Sequence, residues 1–246
     1  MLTPPVQRLI TAKKQLTWIN FLVFIISKVT GRLFQRYAIP SYSQFGEDRI
    51  IGSFFADKEK GFYVDVGCNH PVAYSNTWKL YIRGWCGICI DANADLISEF
   101  QKVRPMDTAL QKVISDKKKE VEFYYSKTSH LISGIGSKTE GFWKRTSENS
   151  NVVKCESVTL CDVLTEYNAP QEFDLLNIDV EGEELPVLNS LNFDKYTPQL
   201  ITVEMHDFDI ALAAENAVYK LLVERGYSMV SYLQPTGFFS LKKDDG

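Results

Sequence analysis

Three carboxylates and one histidine stand at the ends of two apolar segments in the second half of the chain. Asp179 and Glu181 end the first segment, and Glu204 and His206 end the second. Each segment is short and rich in apolar and β-branched residues, which predicts a buried strand. Because the carboxyl ends of neighbouring parallel strands meet at one edge of a sheet, we expect these four side chains to converge.

Such a group could act as a base, bind a metal or be purely structural. His206 is the best single base, since its unperturbed pKa of about 6.5 lies near neutral pH. Asp179 or Glu181 would need a pKa that is raised by burial beside like charge. The four side chains could instead hold Mg²⁺ or Mn²⁺, which would itself acidify a hydroxyl. Base catalysis without a metal is the leading hypothesis.

A second polar group follows the first predicted strand of the chain. Asp65 precedes a single glycine, Gly67, and Asn69 and Pro71 come after it. A dinucleotide-binding turn needs three glycines, so that the backbone can approach a pyrophosphate and the helix can pack on the strand. The chain also lacks a Gly-Lys-Ser/Thr phosphate loop. An acid, one glycine and an amide instead favour a ligand without phosphate and with a cationic amino-acid end, such as S-adenosylmethionine.

Two further strand ends carry acids in the same order along the chain. Asp91 ends the second predicted strand, where a carboxylate can accept both hydroxyls of a ribose. Ser115 and Asp116 follow the third strand, where they can flank an adenine edge. Acids at successive strand ends therefore predict a nucleoside site.

The remaining pattern alternates short apolar strands with helices, which predicts an α/β fold with helices on both faces of a mostly parallel sheet. The predicted strands are residues 62–66, 87–91, 109–114, 121–125, 152–158, 173–179, 200–204, 229–233 and 238–242. The predicted helices are residues 44–56, 77–83, 94–103, 160–167, 183–191 and 210–225. The last two strands are joined by four residues and must be antiparallel. A parallel sheet that ends in one antiparallel hairpin strand indicates a class I methyltransferase fold, which is Rossmann-like.

Composition and charge limit the class of partner. The chain has 246 residues, and its formal net charge of −4 provides no positive field for nucleic acid. Residues 1–40 nevertheless contain six basic residues and no acid. We therefore divide the chain into a basic helical arm, residues 1–40, and a catalytic domain, residues 41–246. The polar segment 126–151 is predicted to be a substrate lid or a flexible insertion.

The arm contains an apolar stretch, residues 16–26, that is too short to span a membrane. A wide apolar face beside basic residues is typical of a helix that lies on a membrane surface, so residues 8–36 are candidates for peripheral membrane contact. Packing on the protein's own core, packing on a dimer partner and a secretion signal remain alternatives.

The five cysteines are an odd number, which excludes a complete disulfide framework and favours a reducing, cytoplasmic compartment. Cys86 and Cys89 have thioredoxin-like spacing but fall on a predicted strand, where residues three apart point to opposite faces. We expect two core cysteines.

Several motifs together resemble the FkbM-type methyltransferases. They are SYSQFGED at 41–48, FYVDVG at 62–67, HP at 70–71, SNT at 75–77, GW at 84–85, GI at 87–88 and IDVEG at 178–182. The resemblance extends over residues 41–242. It implies a class I fold, S-adenosylmethionine as donor and transfer to a hydroxyl oxygen of a sugar, glycan or secondary metabolite. The cofactor-binding candidates also include Asn76, which lies in one of these motifs, and Asp179. His70 precedes Pro71 in the cofactor loop and is expected to line the pocket rather than act as a base.

The leading hypothesis is therefore an S-adenosylmethionine-dependent O-methyltransferase that acts on a small-molecule, glycan or lipid-linked acceptor. A non-catalytic adaptor with the same fold, held at a membrane by the arm, is one alternative. A nicotinamide-dependent oxidoreductase is the other, and the single glycine disfavours it.

Overall fold

The structure is a computed structural model that describes residues 13, 17–22, 24–26, 40–126, 133–135 and 150–242. Its strands are β1 (Phe62–Val66), β2 (Cys86–Asp91), β3 (Thr108–Gln111), β4 (Val113–Ile114), β5 (Lys119–Ser126), β6 (Ser133–Ile135), β7 (Ser150–Val158), β8 (Glu172–Ile178), β9 (Thr197–Glu204), β10 (Tyr227–Leu233) and β11 (Thr236–Leu241). Its α-helices are α1 (Glu47–Phe54), α2 (Trp78–Tyr81), α3 (Ala94–Val103), α4 (Leu160–Glu166), α5 (Glu184–Asn189) and α6 (Ala217–Glu224).

Seven strands form the main sheet in the order β10-β11-β9-β8-β1-β2-β3. The five strands from β9 to β3 are parallel to one another, whereas β11 pairs antiparallel with both β9 and β10. This confirms the predicted α/β fold, with a mostly parallel sheet that ends in an antiparallel hairpin. The sheet reverses its winding direction between β1 and β8, which is where ligands bind in such sheets.

Buried apolar clusters lie on both faces of the sheet. Alternate residues of β1 point to opposite faces, so Val64 packs with Leu176 on one side while Tyr63 packs with Leu175 on the other. α3 buries Phe100, a fully buried ring, against this second cluster. Strands that are covered on both faces are continuously apolar, as the sequence pattern of these segments predicts.

Two predicted elements are divided in the structure. The predicted strand 109–114 splits at Lys112, so β3 pairs with β2 whereas β4 pairs with β7 in a second sheet. The predicted helix 210–225 is a 3-10 helix, Ile210–Glu215, followed by α6. The break has a local cause, because the Asn216 side chain accepts a hydrogen bond from the Tyr219 N–H and starts a new helix.

The segment predicted as a lid lies partly outside the described residues. Residues 127–132 and 136–149, which include His130, are among those that the structure does not describe. The described remainder is strand, since β6 and the start of β7 both pair with β5 in the second sheet, whose order is β4-β7-β5-β6. A lid over this edge stays a prediction.

Part of the arm packs on residues of the domain predicted over residues 41–246. Residues 18–22 and 24–26 are helical, and Thr17 begins the turn by accepting hydrogen bonds from the backbone of Asn20 and Phe21. Phe21 and Phe24 pack against a cluster formed by Trp78, Tyr81 and Ile82. No helix among the described residues is long and apolar enough to cross a membrane.

The described residues contain no disulfide, and all five cysteines are free thiols. Cys86 and Cys89 both lie on β2, as predicted, and only Cys89 is buried. Burial raises the pKa of the Cys89 thiol to about 11, which is the opposite of what redox chemistry needs.

Candidate active site

A cavity of about 370 Å³ opens at the carboxyl edge of the sheet, where the winding reverses. This volume lies within the usual range of small-molecule sites, roughly 300–1,000 Å³. Nine of the twelve predicted site residues line it: Asp65, Gly67, Asn69, Asn76, Asp91, Asp179, Glu181, Glu204 and His206. The sheet therefore brings both predicted groups, the nucleoside acids and the acid–histidine group, to one cavity.

The other three predicted residues do not line the cavity. The His70 ring is folded onto its own loop, because Nδ1 accepts hydrogen bonds from the N–H groups of Val72 and Ala73. Ser115 and Asp116 come after β4 has left the main sheet, and the Ser115 N–H donates to Val158 of β7. Lys112, Val113 and Ile114 line the cavity instead, so the prediction placed this contact too far along the chain.

Gly67 lines the cavity and makes a close backbone contact with Asp179. A Cβ atom at this position would lie 1.7 Å from the carbonyl oxygen of Asp179, and the φ of 78° is a left-handed value. The Asp179 N–H donates to the Val66 carbonyl at 2.9 Å, which joins the ends of β8 and β1. Only glycine allows this approach, so the one glycine that the sequence offers here is a requirement of the sheet edge.

Asp91 presents a carboxylate at the end of β2. One oxygen accepts the Asn69 N–H at 3.0 Å and the other accepts the Asn93 N–H at 2.8 Å. Each oxygen keeps a lone pair for a ligand hydroxyl. Burial raises the pKa of Asp91 to about 6, which is low enough for the carboxylate to be ionised at neutral pH.

The Asp91→Asn variant should bind S-adenosylmethionine about 10- to 100-fold more weakly, because charge-assisted hydrogen bonds to ligand hydroxyls are lost. Calorimetric titration measures this affinity. The native protein should also lose affinity as the pH falls below about 6, since the carboxylate becomes protonated. Asp95→Asn, at an exposed position on α3, is the matched control. Equal affinity of the Asp91 variant and the native chain would remove Asp91 from the cofactor site.

Asp65 lies in a buried hydrogen-bond network. The sequence predicts Asp65 as a site residue but does not predict this network. Its two oxygens accept hydrogen bonds from the Thr77 hydroxyl at 2.6 Å and from the Asn177 amide at 2.8 Å. The Asn177 carbonyl oxygen in turn accepts from Asn76 at 3.0 Å and from Thr202 at 2.7 Å. Asn177 therefore ties β1, β8 and β9 to the loop that carries Asn76.

Behind this network lies Arg104, which is completely buried. Its Nε donates to Asp107 at 2.7 Å, and its terminal nitrogens donate to the Tyr63 hydroxyl at 2.6 Å and to the Thr77 hydroxyl at 3.1 Å. Thr77 thus accepts from Arg104 while it donates to Asp65. The pattern of an arginine with an acid three residues later usually marks a surface pair, so nothing in the sequence signals this burial.

The acid–histidine group is tightly assembled at the ends of β8 and β9. His206 Nε2 lies 3.1 Å from Glu204 Oε2 and 3.8 Å from Glu181 Oε2. Asp179 forms a carboxyl–carboxylate hydrogen bond with Glu204. Burial, followed by the charges of Glu204 and Glu181, raises the pKa of Asp179 well above its usual range.

The titration of His206 differs from the sequence expectation. Its hydrogen bond to Glu204 raises the pKa of His206 to about 9, against the opposing effect of burial. Burial alone would raise the pKa of Glu204, but the hydrogen bond and charge of His206 outweigh it, and the pKa is lowered. Burial, followed by Glu204, raises the pKa of Glu181 to about 7. At neutral pH the structure thus holds an imidazolium–carboxylate pair.

One group of possible metal ligands occurs among the described residues. The ligand atoms of Glu181, Glu204 and His206 lie within 4.8 Å of one another. Asp179, which the sequence analysis included, is not one of the three. His206 Nε2 and Glu204 Oε2 lie only 3.1 Å apart, so a cation that bound both atoms would require these two side chains to separate.

The cavity also fits the cofactor that the sequence analysis predicts. The lining near Asp91 includes the apolar side chains of Ile90, Val113, Ile114 and Phe123, which suit the faces of a purine ring. The Asp65 carboxylate, at the end of β1, suits a cationic amino-acid end. The residues that are present therefore match an adenosyl group with a cationic tail.

Comparison with known proteins shows the family of the chain. A family model described as the methyltransferase FkbM domain matches residues 65–229, which is well over half of the chain. The chain belongs to the FkbM methyltransferase family. The FkbM domain is thus a methyltransferase domain, and the family implies S-adenosylmethionine as the methyl donor. The resemblance that the sequence motifs indicate is confirmed.

Two other comparisons concern the whole chain. No curated protein matches the chain. Among solved structures, the chain is similar to a TehB-like SAM-dependent methyltransferase from Corynebacterium glutamicum, at 11% identity and a TM-score of 0.41. This similarity covers 89% of the present chain and 99% of the other.

Proposed function

We propose that the chain is an S-adenosylmethionine-dependent O-methyltransferase that acts on a hydroxyl of a neutral acceptor, such as a sugar, a glycan or a secondary metabolite. The observation that carries this proposal is the His206–Glu204 pair at the cavity edge. Methyl transfer to a hydroxyl requires alignment of the reacting atoms and removal of one proton. An imidazole beside a carboxylate suits the second task.

His206 and Glu204 have different roles in the proton transfer. Glu204 Oε2 lies 3.1 Å from His206 Nε2, and an Nε2 proton turned toward this carboxylate would leave the lone pair of the neutral ring on Nδ1. The same carboxylate stabilises the imidazolium that forms when His206 takes the hydroxyl proton. S-adenosylmethionine, when bound, supplies a methyl group on a sulfonium that needs no further activation. Asp91 and the Asp65 network would hold the cofactor in place.

The charge of the lining supports a neutral acceptor. Six acidic residues line the cavity, against one lysine, Lys112, and the imidazolium of His206; the six are Asp65, Asp91, Asp179, Glu181, Glu183 and Glu204. Carboxylates accept hydrogen bonds from sugar hydroxyls, and they repel phosphates and other anions. A polynucleotide acceptor is thereby disfavoured.

Aromatic side chains also line the cavity. Phe45 and Tyr74 contribute to the lining although more than half of each residue is exposed to solvent. Aromatic faces supply the apolar contact area that binding sites for ring-shaped ligands need. These two rings therefore offer a surface on which the ring of a sugar or cyclic metabolite can rest.

The proposal is tested with purified protein, labelled S-adenosylmethionine and pools of sugars, glycans and small hydroxylated metabolites. Mass spectrometry should find products that gain one methyl group at oxygen, and Asp91→Asn should form less of them at a cofactor concentration that does not saturate this variant. A product methylated at nitrogen would contradict O-methylation while leaving methyl transfer intact. Absence of cofactor binding in calorimetry would favour the adaptor, the alternative in which the fold has no catalytic role.

The three possible metal ligands support a second role for the same side chains. Mg²⁺ or Mn²⁺ held by Glu181, Glu204 and His206 could polarise the acceptor hydroxyl. For metal-free catalysis, EDTA should leave kcat unchanged. A loss of activity with EDTA that Mn²⁺ or Mg²⁺ restores would assign the three side chains to a metal instead.

A further inference from the structure

The arm presents an apolar surface that no described residue covers. Four side chains of the short helix are highly exposed: Trp18 at 67%, Ile19 at 75%, Leu22 at 51% and Ile26 at 60%. On a helical projection they fall within a sector of about 100°. We call these four residues the outer face of the arm.

The opposite side of the same helix holds it on the protein. Phe21 and Phe24 project away from the outer face and pack against the Trp78, Tyr81 and Ile82 cluster. The Trp78 and Tyr81 rings are stacked, with centroids 5.7 Å apart, which gives this cluster a broad aromatic surface. The helix is therefore attached to the domain through one side while its other side remains exposed.

The charges of the chain indicate what covers the outer face. The arm sequence contains six basic residues and no acid, whereas the rest of the chain carries a net charge of −10. One of the six, Lys13, places its Nζ 5.4 Å from the centroid of the Trp18 ring. A tryptophan beside a lysine, with an apolar face and no acid nearby, is the composition of a helix that binds at a lipid–water interface.

We propose that the outer face of the arm docks on an anionic lipid membrane. The apolar side chains enter the interface, and the basic residues of the arm are attracted to lipid phosphates. An anionic surface repels the acidic domain, so the arm is the part of the chain that it attracts. This proposal involves no residue of the catalytic site.

Docking by this face would hold the cavity close to the membrane. Tyr42 and Val72 pack on the same aromatic cluster as the arm helix. Two residues further along the chain, Gln44 and Tyr74 line the cavity. The segments that support the arm are thus the segments that form one side of the cavity, which suits an acceptor at or near the lipid surface.

Vesicle co-sedimentation of the full chain tests the proposal. We expect binding to vesicles that contain phosphatidylglycerol, binding that is at least tenfold weaker to phosphatidylcholine alone, and loss of binding as salt is raised. Combining Trp18→Ser, Ile19→Ser, Leu22→Ser and Ile26→Ser should lower the partition coefficient by about 100-fold. These positions are exposed, so the thermal unfolding of the variant should match that of the native chain.

A matched control removes four exposed apolar side chains elsewhere. Met106→Ser, Ile210→Ser, Leu212→Ser and Val230→Ser, made together, should leave vesicle binding unchanged. Failure of the native chain to bind anionic vesicles would overturn the proposal, as would undiminished binding by the arm variant or equal loss in the control. Light scattering tests the alternative that a second copy of the chain covers the outer face. If the native chain is a dimer that does not bind lipid, and the arm variant is a monomer, the outer face is a dimer interface and the proposal is overturned.

Discussion

Replacement of His206 by alanine should lower kcat by about 10²- to 10⁴-fold, the usual contribution of a positioned base. The reason is geometric, because His206 lines the cavity and its Nε2 is bound to Glu204. Cofactor affinity should change little, since the ribose contact is assigned to Asp91 and not to His206. Steady-state rates together with calorimetry separate these two effects. Asp207→Asn, at an adjacent exposed residue outside the cavity lining, is the control.

The pH profile distinguishes a base from a structural residue. Only neutral imidazole accepts a proton, and the pKa of His206 is about 9, so kcat should rise with pH and level off above about 9. Glu204→Gln removes the main cause of that raised pKa. The inflection should then move to lower pH, toward the ordinary value of histidine. A residue that served only packing would not move the inflection.

A different inflection would identify a different base. The pKa of Glu181 is about 7, and this residue also lines the cavity. If the rate levels off above pH 7 and Glu181→Gln abolishes the inflection while His206→Ala does not, then Glu181 removes the proton. That result would contradict the assignment to His206 and would leave the proposed O-methylation intact.

The acids and the histidine could be placed from the sequence because strand ends are a strong signal. Asp65, Asp91, Asp179 and Glu204 end or follow buried parallel strands, and such strands share one carboxyl edge whatever their order. The position of the site therefore required no side-chain geometry. The same argument gave a wrong position for Ser115 and Asp116. It assumed that the third predicted strand stays in the main sheet as far as Ile114.

Features that depend on contacts between distant segments could not be read from the sequence. The pKa of His206 depends on a hydrogen bond whose length the sequence does not specify. Asn177 is one polar residue in an apolar strand, and its role follows from partners on three other segments. In each case the property depends on the neighbouring side chains, which the residue type alone does not specify.

Arg104 is the extreme example, and its replacement should have the largest effect on stability. Arg104→Met should lower the free energy of unfolding by about 3–5 kcal/mol, because it leaves the buried carboxylate of Asp107 without its charged partner. Urea denaturation at constant slope measures the change. Arg104→Lys should be intermediate, since an ammonium keeps the charge but cannot reach Asp107, Tyr63 and Thr77 in one plane.

A double-mutant cycle separates this network from simple loss of volume. Asp107→Asn alone should destabilise the protein, because the Arg104 charge is then buried without its counterion. Combining Asp107→Asn with Arg104→Met should cost clearly less than the sum of the two single changes, by about 0.5–3 kcal/mol. Additive effects would mean that the two side chains contribute separately. Arg104 would then fill space behind Asp65 and would not hold, through Thr77, the carboxylate that lines the cofactor cavity.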